Sequence, residues 1–328
     1  MDSIKYDGFL FGNGLTINFF QNLKPKVPLD KESLLNIDSF LVEFSESKNK
    51  EIDNYIFKLL YQDEFSNRKN FQKLKQEIKR YYISGGNSNI EYEFGKYLFL
   101  QGNATYDYSL MMSLFPYLYN IWYNIVCTYL TNNFESDIKK YYKSVKIYLK
   151  ETSHVITTNF DKYAEFGIDN IQHIHGEFVE LTGLDDLNYS VKNGKIEYKT
   201  IWGHNGTGKQ EAINARKHSK LYNFRFFYDN TMEIENLLIY GLGFRRSAYI
   251  TEEFLKRFPQ HRHNYCSEIV IDGHILERLS VLQRNKKLDN ITMTYFSDEE
   301  LQYFRRLIDF HKLKNVEFRR CTAFNFHI

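Results

Sequence analysis

Val155-Ile156-Thr157-Thr158-Asn159-Phe160-Asp161 is a β-branched apolar run that ends in polar residues able to do chemistry. Successive Val, Ile and Thr favour a pleated strand. Asn159 and Asp161 alternate along the extended segment, so their side chains point the same way. Taken alone, this is either a strand end capped by polar residues or one edge of a ligand site. Fourteen residues after Asp161 comes His175-Gly176, behind a second short strand expected at Ile171 to Ile174. A glycine after the histidine clears space for a ligand above the imidazole.

Two glycine turns flank this centre in sequence. Near the N-terminus, Gly8 to Leu10 leads into Phe11-Gly12-Asn13-Gly14-Leu15-Thr16, which reads as strand, glycine turn and helix start. Such a turn frees backbone N–H groups at a helix N-terminus and admits an anionic ligand. Ile17 stands where a dinucleotide fingerprint would carry its third glycine. Further on, Leu237-Leu238-Ile239-Tyr240 closes in Gly241-Leu242-Gly243-Phe244.

The remaining pattern sets the fold class. A helix is predicted from Ala248 to Phe258, stopped before Pro259, and strands at Ile269 to Ile271, Ile291 to Phe296 and Val316 to Arg319. Ser297-Asp298-Glu299-Glu300 is a capping box that opens a helix to about Leu313. Short apolar strands alternating with helices predict an α/β fold with a mostly parallel sheet and helices on both faces. Between residues 31 and 150 the period is helical instead, as in Leu34, Ile37, Phe40, Leu41 and Phe44. The expected organisation is one sheet domain from 1–30 and 151–328, interrupted by a large helical insertion at 31–150. All four signals then fall at carboxyl ends of strands, where open α/β sheets bind ligands.

Bulk properties narrow the function. The 328 residues carry a net charge of +2, which gives no electrostatic case for nucleic acid. Aromatic residues reach 17%, fitting either an AT-rich genome or, less simply, a base-stacking surface. Cys127, Cys266 and Cys321 are scattered and odd in number, against a zinc module or a disulfide framework and in favour of a reducing cytoplasm. No stretch reaches the length of a membrane span, and no metal site is predicted. Gly203-His204-Asn205-Gly206-Thr207-Gly208-Lys209 imitates a P-loop, but Gln210 replaces the hydroxyl that would hold Mg²⁺. His261-Arg262-His263 reads as a solvated turn.

Together these residues resemble the sirtuin-like NAD-binding family, a Rossmann-like fold. Gly12-Asn13-Gly14-Leu15-Thr16 is similar to its Gly-Ala-Gly-Ile-Ser turn, Thr158-Asn159-Phe160-Asp161 to its Gln-Asn-Ile-Asp segment, and His175-Gly176 to its catalytic His-Gly. Gly241-Leu242-Gly243-Phe244 takes the place of its Gly-Thr-Ser-Leu turn. Gly-Asn-Gly, Ile174-His175-Gly176 and the Gly203-His204 pair bring the chain closest to the abortive-infection AbiH branch of bacterial phage-defence proteins. The acidic residue which that branch carries just after Gly-Asn-Gly is absent. The resemblance implies catalysis by Asn159 and His175. It implies NAD binding by Gly12, Asn13, Gly14, Thr16, Thr158, Asp161, Gly241, Gly243 and Phe244. The paired cysteines of the family's deacylases are missing, which turns the expectation from deacylation to hydrolysis of NAD⁺, as substrate, to nicotinamide and ADP-ribose.

An NAD⁺-depleting enzyme would harm its own cell. Low resting activity is therefore expected, released by a phage-derived trigger, a partner protein or homo-oligomer formation. A non-catalytic sensor that binds NAD or ADP-ribose and signals to a partner is the alternative. A nucleolytic defence protein has neither an acidic metal cluster nor a basic face to support it.

Overall fold

The computed structural model describes residues 5–46, 108–159, 161–174, 189–192, 195–198, 232–246, 252–266 and 269–328, with isolated positions between 50 and 83 and at 250. The chain opens with β1 (Tyr6–Phe11) and α1 (Asn13–Leu23). Then come α2 (Ile37–Ser45) and α3 (Tyr108–Lys146), which departs from helical backbone at Phe134. Next are β2 (Leu149–Thr157), β3 (Ile171–His173) and an antiparallel hairpin of β4 (Tyr189–Lys192) and β5 (Lys195–Tyr198). The last part comprises β6 (Ile234–Tyr240), α4 (Glu252–Arg257), α5 (Gly273–Arg284), β7 (Leu288–Tyr295), α6 (Asp298–His311) and β8 (Val316–Arg320).

Six strands form one sheet in the order β3-β2-β1-β6-β7-β8, and every neighbouring pair is parallel. With the separate hairpin left out, this is the order 3-2-1-4-5-6 of doubly wound sheets, whose winding reverses between β1 and β6. The fold class is therefore the Rossmann-like α/β fold that the sequence predicts. Leu10, Ile156, Leu237, Ile239, Ile291 and Met293 share one buried core with Ile275, Leu276 and Leu279 of α5 and Phe304 and Leu307 of α6. Strand alternation sends Phe9, Phe11, Val155, Leu238 and Tyr240 to the opposite face, and all five are buried. There Tyr240 packs on Phe324 and Phe326 of the C-terminal segment, and Phe326 meets Tyr141 of α3.

The chain divides into two compact units. One holds residues 1–23, 133–177 and 207–328 and carries the whole sheet; the other holds 24–132 and 178–206. In the second, Asn36 caps α2 by accepting from Ser39 N–H at 2.9 Å, and Trp122 Nε1 donates to Leu34 O at 2.8 Å.

Several expected elements need correction. Ile269–Ile271 is no sheet strand: its contact is one isolated antiparallel bridge between Val270 and Arg246. These residues form a turn into α5, which the sequence reading omitted, and Asp272 enters the helix in the left-handed conformation (φ 63°). An apolar β-branched triplet looks alike in a strand and in a buried turn. The capping box holds, since Ser297 Oγ accepts from Glu300 N–H at 3.1 Å, but the Glu300 carboxylate reaches back to Phe296 N–H at 2.6 Å.

Candidate functional site

Strand register brings the predicted segments to one edge. Phe11 pairs with Thr157 on one side and Tyr240 on the other, and Thr157 pairs with His173. The residues just past this row therefore leave the sheet together at its carboxyl edge, around the β1–β6 reversal where doubly wound sheets bind ligands.

The two glycine turns lock onto each other. Gly12 N–H donates to Tyr240 O and Gly14 N–H to Gly241 O, both at 3.0 Å. A β-carbon on Gly14 would stand 2.5 Å from Gly241 Cα, and one on Gly12 would stand 2.9 Å from Gly241 O. Gly241 itself has φ +66°, a conformation that favours glycine. The sequence reading assigned these glycines to close approach by a ligand and their N–H groups to its phosphates. In the structure both N–H groups bond to β6 and its turn, and the missing side chains admit backbone. Asn13, the first residue of α1, is exposed between them.

Beyond the turn, Gly243 is open: a β-carbon there would meet only the Arg245 side chain, at 3.6 Å. Phe244, in contrast, is a core residue. It is 1% exposed and packs edge-on against Phe304, with ring centres 6.0 Å apart. It holds the turn to α6 and offers no aromatic surface to a ligand.

On the other side of β1, a hydrogen-bond chain fixes the end of β2. Thr158 N–H and the Thr157 hydroxyl both donate to Phe11 O at 3.1 Å, and Asn159 N–H donates to Thr157 Oγ1 at 3.0 Å. The Asn159 side chain turns inward. Its Nδ2 donates to Thr16 Oγ1 at 3.1 Å, and the Thr16 hydroxyl donates on to Asp161 Oδ2 at 3.0 Å. Asp161 Oδ1 accepts from Tyr163 N–H at 3.3 Å. Asn159 is 2% exposed, yet its amide oxygen has no hydrogen-bond partner among the described residues. A buried acceptor without a donor is unfavourable, and a ligand or water donor reaching it would remove that cost.

Burial pushes the half-buried Asp161 carboxyl up to about 6. The Thr16 hydrogen bond and the His173 ring pull it back down in part. A carboxyl pushed towards neutral pH at the carboxyl edge of a doubly wound sheet marks a candidate functional group.

His175 and Gly176 lie outside the described residues, as do Phe160 and the P-loop-like stretch 203–209. His173, two residues earlier, is a site residue that the sequence reading passed over. Its Nδ1 lies 2.8 Å from Asn159 O and its Nε2 3.2 Å from Glu165 Oε1. Both partners are acceptors, so the ring ties the Asn159 backbone to the short 3₁₀ turn Tyr163–Phe166. The His173 contact, ahead of the opposing effect of burial, holds Glu165 below the usual carboxylate range. That turn is seated by aromatic packing of Tyr163 on Phe19 and Phe20 of α1 and by Gly167, where a β-carbon would stand 2.7 Å from Tyr142 Cβ. No spacing rule would pair His173 with Glu165; only the fold brings them together.

Among the described residues no three His, Cys, Asp or Glu side chains gather as a metal site, and no helix is long and apolar enough to cross a membrane. Comparison with protein-family models, curated proteins and solved structures found no match to the chain.

Proposed function

We propose that the chain is an NAD⁺ glycohydrolase that cleaves NAD⁺ to nicotinamide and ADP-ribose. The observation that carries this reading is the buried, donor-seeking amide oxygen of Asn159, set beside Thr16 and Asp161 at the sheet reversal. The bond from ribose to nicotinamide is a glycosidic bond to a cationic leaving group, and its cleavage passes through an oxocarbenium-like state. An amide oxygen that accepts from a ribose hydroxyl holds the sugar as positive charge develops. Asp161 supplies negative charge nearby when ionised. The resemblance of His175-Gly176 to the family's His-Gly gives His175 the role of neutral base for a ribose hydroxyl or water. The exposed N-terminus of α1 at Asn13 suits the pyrophosphate better than Gly12 or Gly14, whose N–H groups are bonded within the protein.

The biological setting follows from the AbiH resemblance: abortive-infection defence in a bacterial cytoplasm. Activity is low at rest and released by a phage-derived activator, a partner protein or homo-oligomer assembly. Purified chain incubated with NAD⁺, alone and with phage lysate, tests the chemistry by chromatography of nicotinamide and ADP-ribose. Product formation that disappears in both Asn159→Ala and His175→Ala supports the enzyme. Tight ADP-ribose binding without products in either condition supports the sensor instead.

A further inference from the structure

Asn159, Thr16 and Asp161 form one directional hydrogen-bond chain, Asn159 Nδ2 to Thr16 Oγ1 to Asp161 Oδ2. The Thr16 hydroxyl has a single hydrogen. While Asp161 is ionised that hydrogen points to Oδ2, so Thr16 Oγ1 can only accept from Asn159, and the amide must turn its Nδ2 inward. That leaves Asn159 Oδ1 as the buried atom without a partner. Adding a proton to Asp161 reverses each link. Oδ1 is engaged by Tyr163 N–H, so the proton sits on Oδ2 and donates to Thr16. The Thr16 hydrogen then points to Asn159, and the amide rotates to offer Oδ1 to Thr16 and to place Nδ2 where the unpartnered Oδ1 now lies.

We infer that this chain is a proton-set selector: Asp161, acting through Thr16 as a positioning residue, decides whether Asn159 presents an acceptor or a donor to the ligand. The inference rests on the reading of this sheet edge as a ligand site. A ribose hydroxyl, as donor, is accepted only in the ionised state; a ligand carbonyl or phosphate oxygen is favoured in the protonated state. Three features support it. Asn159 is 2% and Thr16 9% exposed, so water does not substitute for either link. Among the described residues, the charged groups around Asp161 are His173 from β3, Glu165 from the 3₁₀ turn, and Lys162, whose Nζ lies 3.9 Å from Glu165. α1 contributes no charge. Finally, the position of the Asp161 carboxyl at about 6 places both states within reach of ordinary cellular pH.

The side-chain amide resonances of Asn159 in ligand-free full-length protein, followed from pH 5 to 8, read the selector directly. We expect a shift with midpoint near 6 in the wild type and in Thr16→Ser, and none in Asp161→Asn. ADP-ribose affinity, measured by calorimetry over the same range, should fall about 10-fold from pH 7.5 to pH 5 in the wild type, the size of one hydrogen bond. It should lose that dependence in Asp161→Asn. An amide that does not titrate, or titrates equally in Asp161→Asn, overturns the selector. An amide that titrates in protein unable to bind ADP-ribose keeps the selector and overturns the nucleotide reading.

Discussion

Gly14 and Gly241 meet backbone to backbone: Gly14 N–H bonds to Gly241 O at 3.0 Å, and no β-carbon fits between them. The turns after β1 and β6 thus form one unit at the sheet reversal. Gly14→Ala forces that backbone apart and should destabilise the fold by about 1–3 kcal/mol. Gly243→Ala places its methyl group against a flexible arginine and should stay within about 0.5 kcal/mol of wild type. Urea unfolding of the two variants side by side checks both. Equal losses would mean that the turn is not built around the Gly14–Gly241 approach.

Asp161 links stability to pH. Its folded carboxyl titrates at about 6, above the ordinary 3.8, so between these values the folded protein binds more protons than the unfolded chain. Stability therefore falls as pH rises from about 4 through 6, then levels off. Asp161→Asn removes the buried charge while keeping a side chain of the same shape. We expect it to be more stable than wild type at pH 7.5, by about 1–2 kcal/mol once solvent screening at a half-buried group is allowed for, and to lose that advantage below pH 4. Thermal melts at pH 4 and 7.5 measure the difference. A constant gap at both pH values would argue that burial does not raise the Asp161 carboxyl.

His173 positions Asn159 through the backbone carbonyl it bonds. His173→Ala leaves Asn159 O without its ring donor and Glu165 with Lys162, 3.9 Å away, in place of its hydrogen bond to the ring. We expect a loss of about 1–3 kcal/mol in stability. If NAD⁺ is the substrate, kcat should fall more than KM rises, because the displaced residue is the one assigned to the reacting sugar. His173→Gln, which can still reach with one amide, should recover part of both. A His173→Ala enzyme with unchanged kcat would assign the residue to folding alone.

How far the sequence reaches is visible at particular residues. Val155 to Thr157 and Leu237 to Tyr240 are legible as strands because buried parallel strands are continuous apolar runs, and the polar Asn159 after the first and Gly241 after the second mark where each leaves the sheet. Asn159 and Asp161 are legible as a pair through simple alternation. What the sequence does not disclose is where hydrogen bonds end. Gly12 and Gly14 look like free phosphate donors until β6 arrives to accept from them. Phe244 looks like part of a binding turn until its ring is found against Phe304. His173 is hidden for the opposite reason, since its partners Asn159 and Glu165 come from other loops. α5 was lost because Ile269-Val270-Ile271 has the composition of a strand and the helix begins on a left-handed Asp272, without a side-chain cap to announce it.

The most direct measurement is nicotinamide release from NAD⁺ by the wild type and by Asn159→Ala, compared at matched stability, with and without phage lysate. If NAD⁺ is the substrate, removing the amide proposed to meet its ribose should reduce kcat at least about 100-fold, as loss of one transition-state contact typically does, while the variant still folds. Turnover by Asn159→Ala at the wild-type rate would contradict the assignment of this sheet edge as the place where NAD⁺ is cleaved.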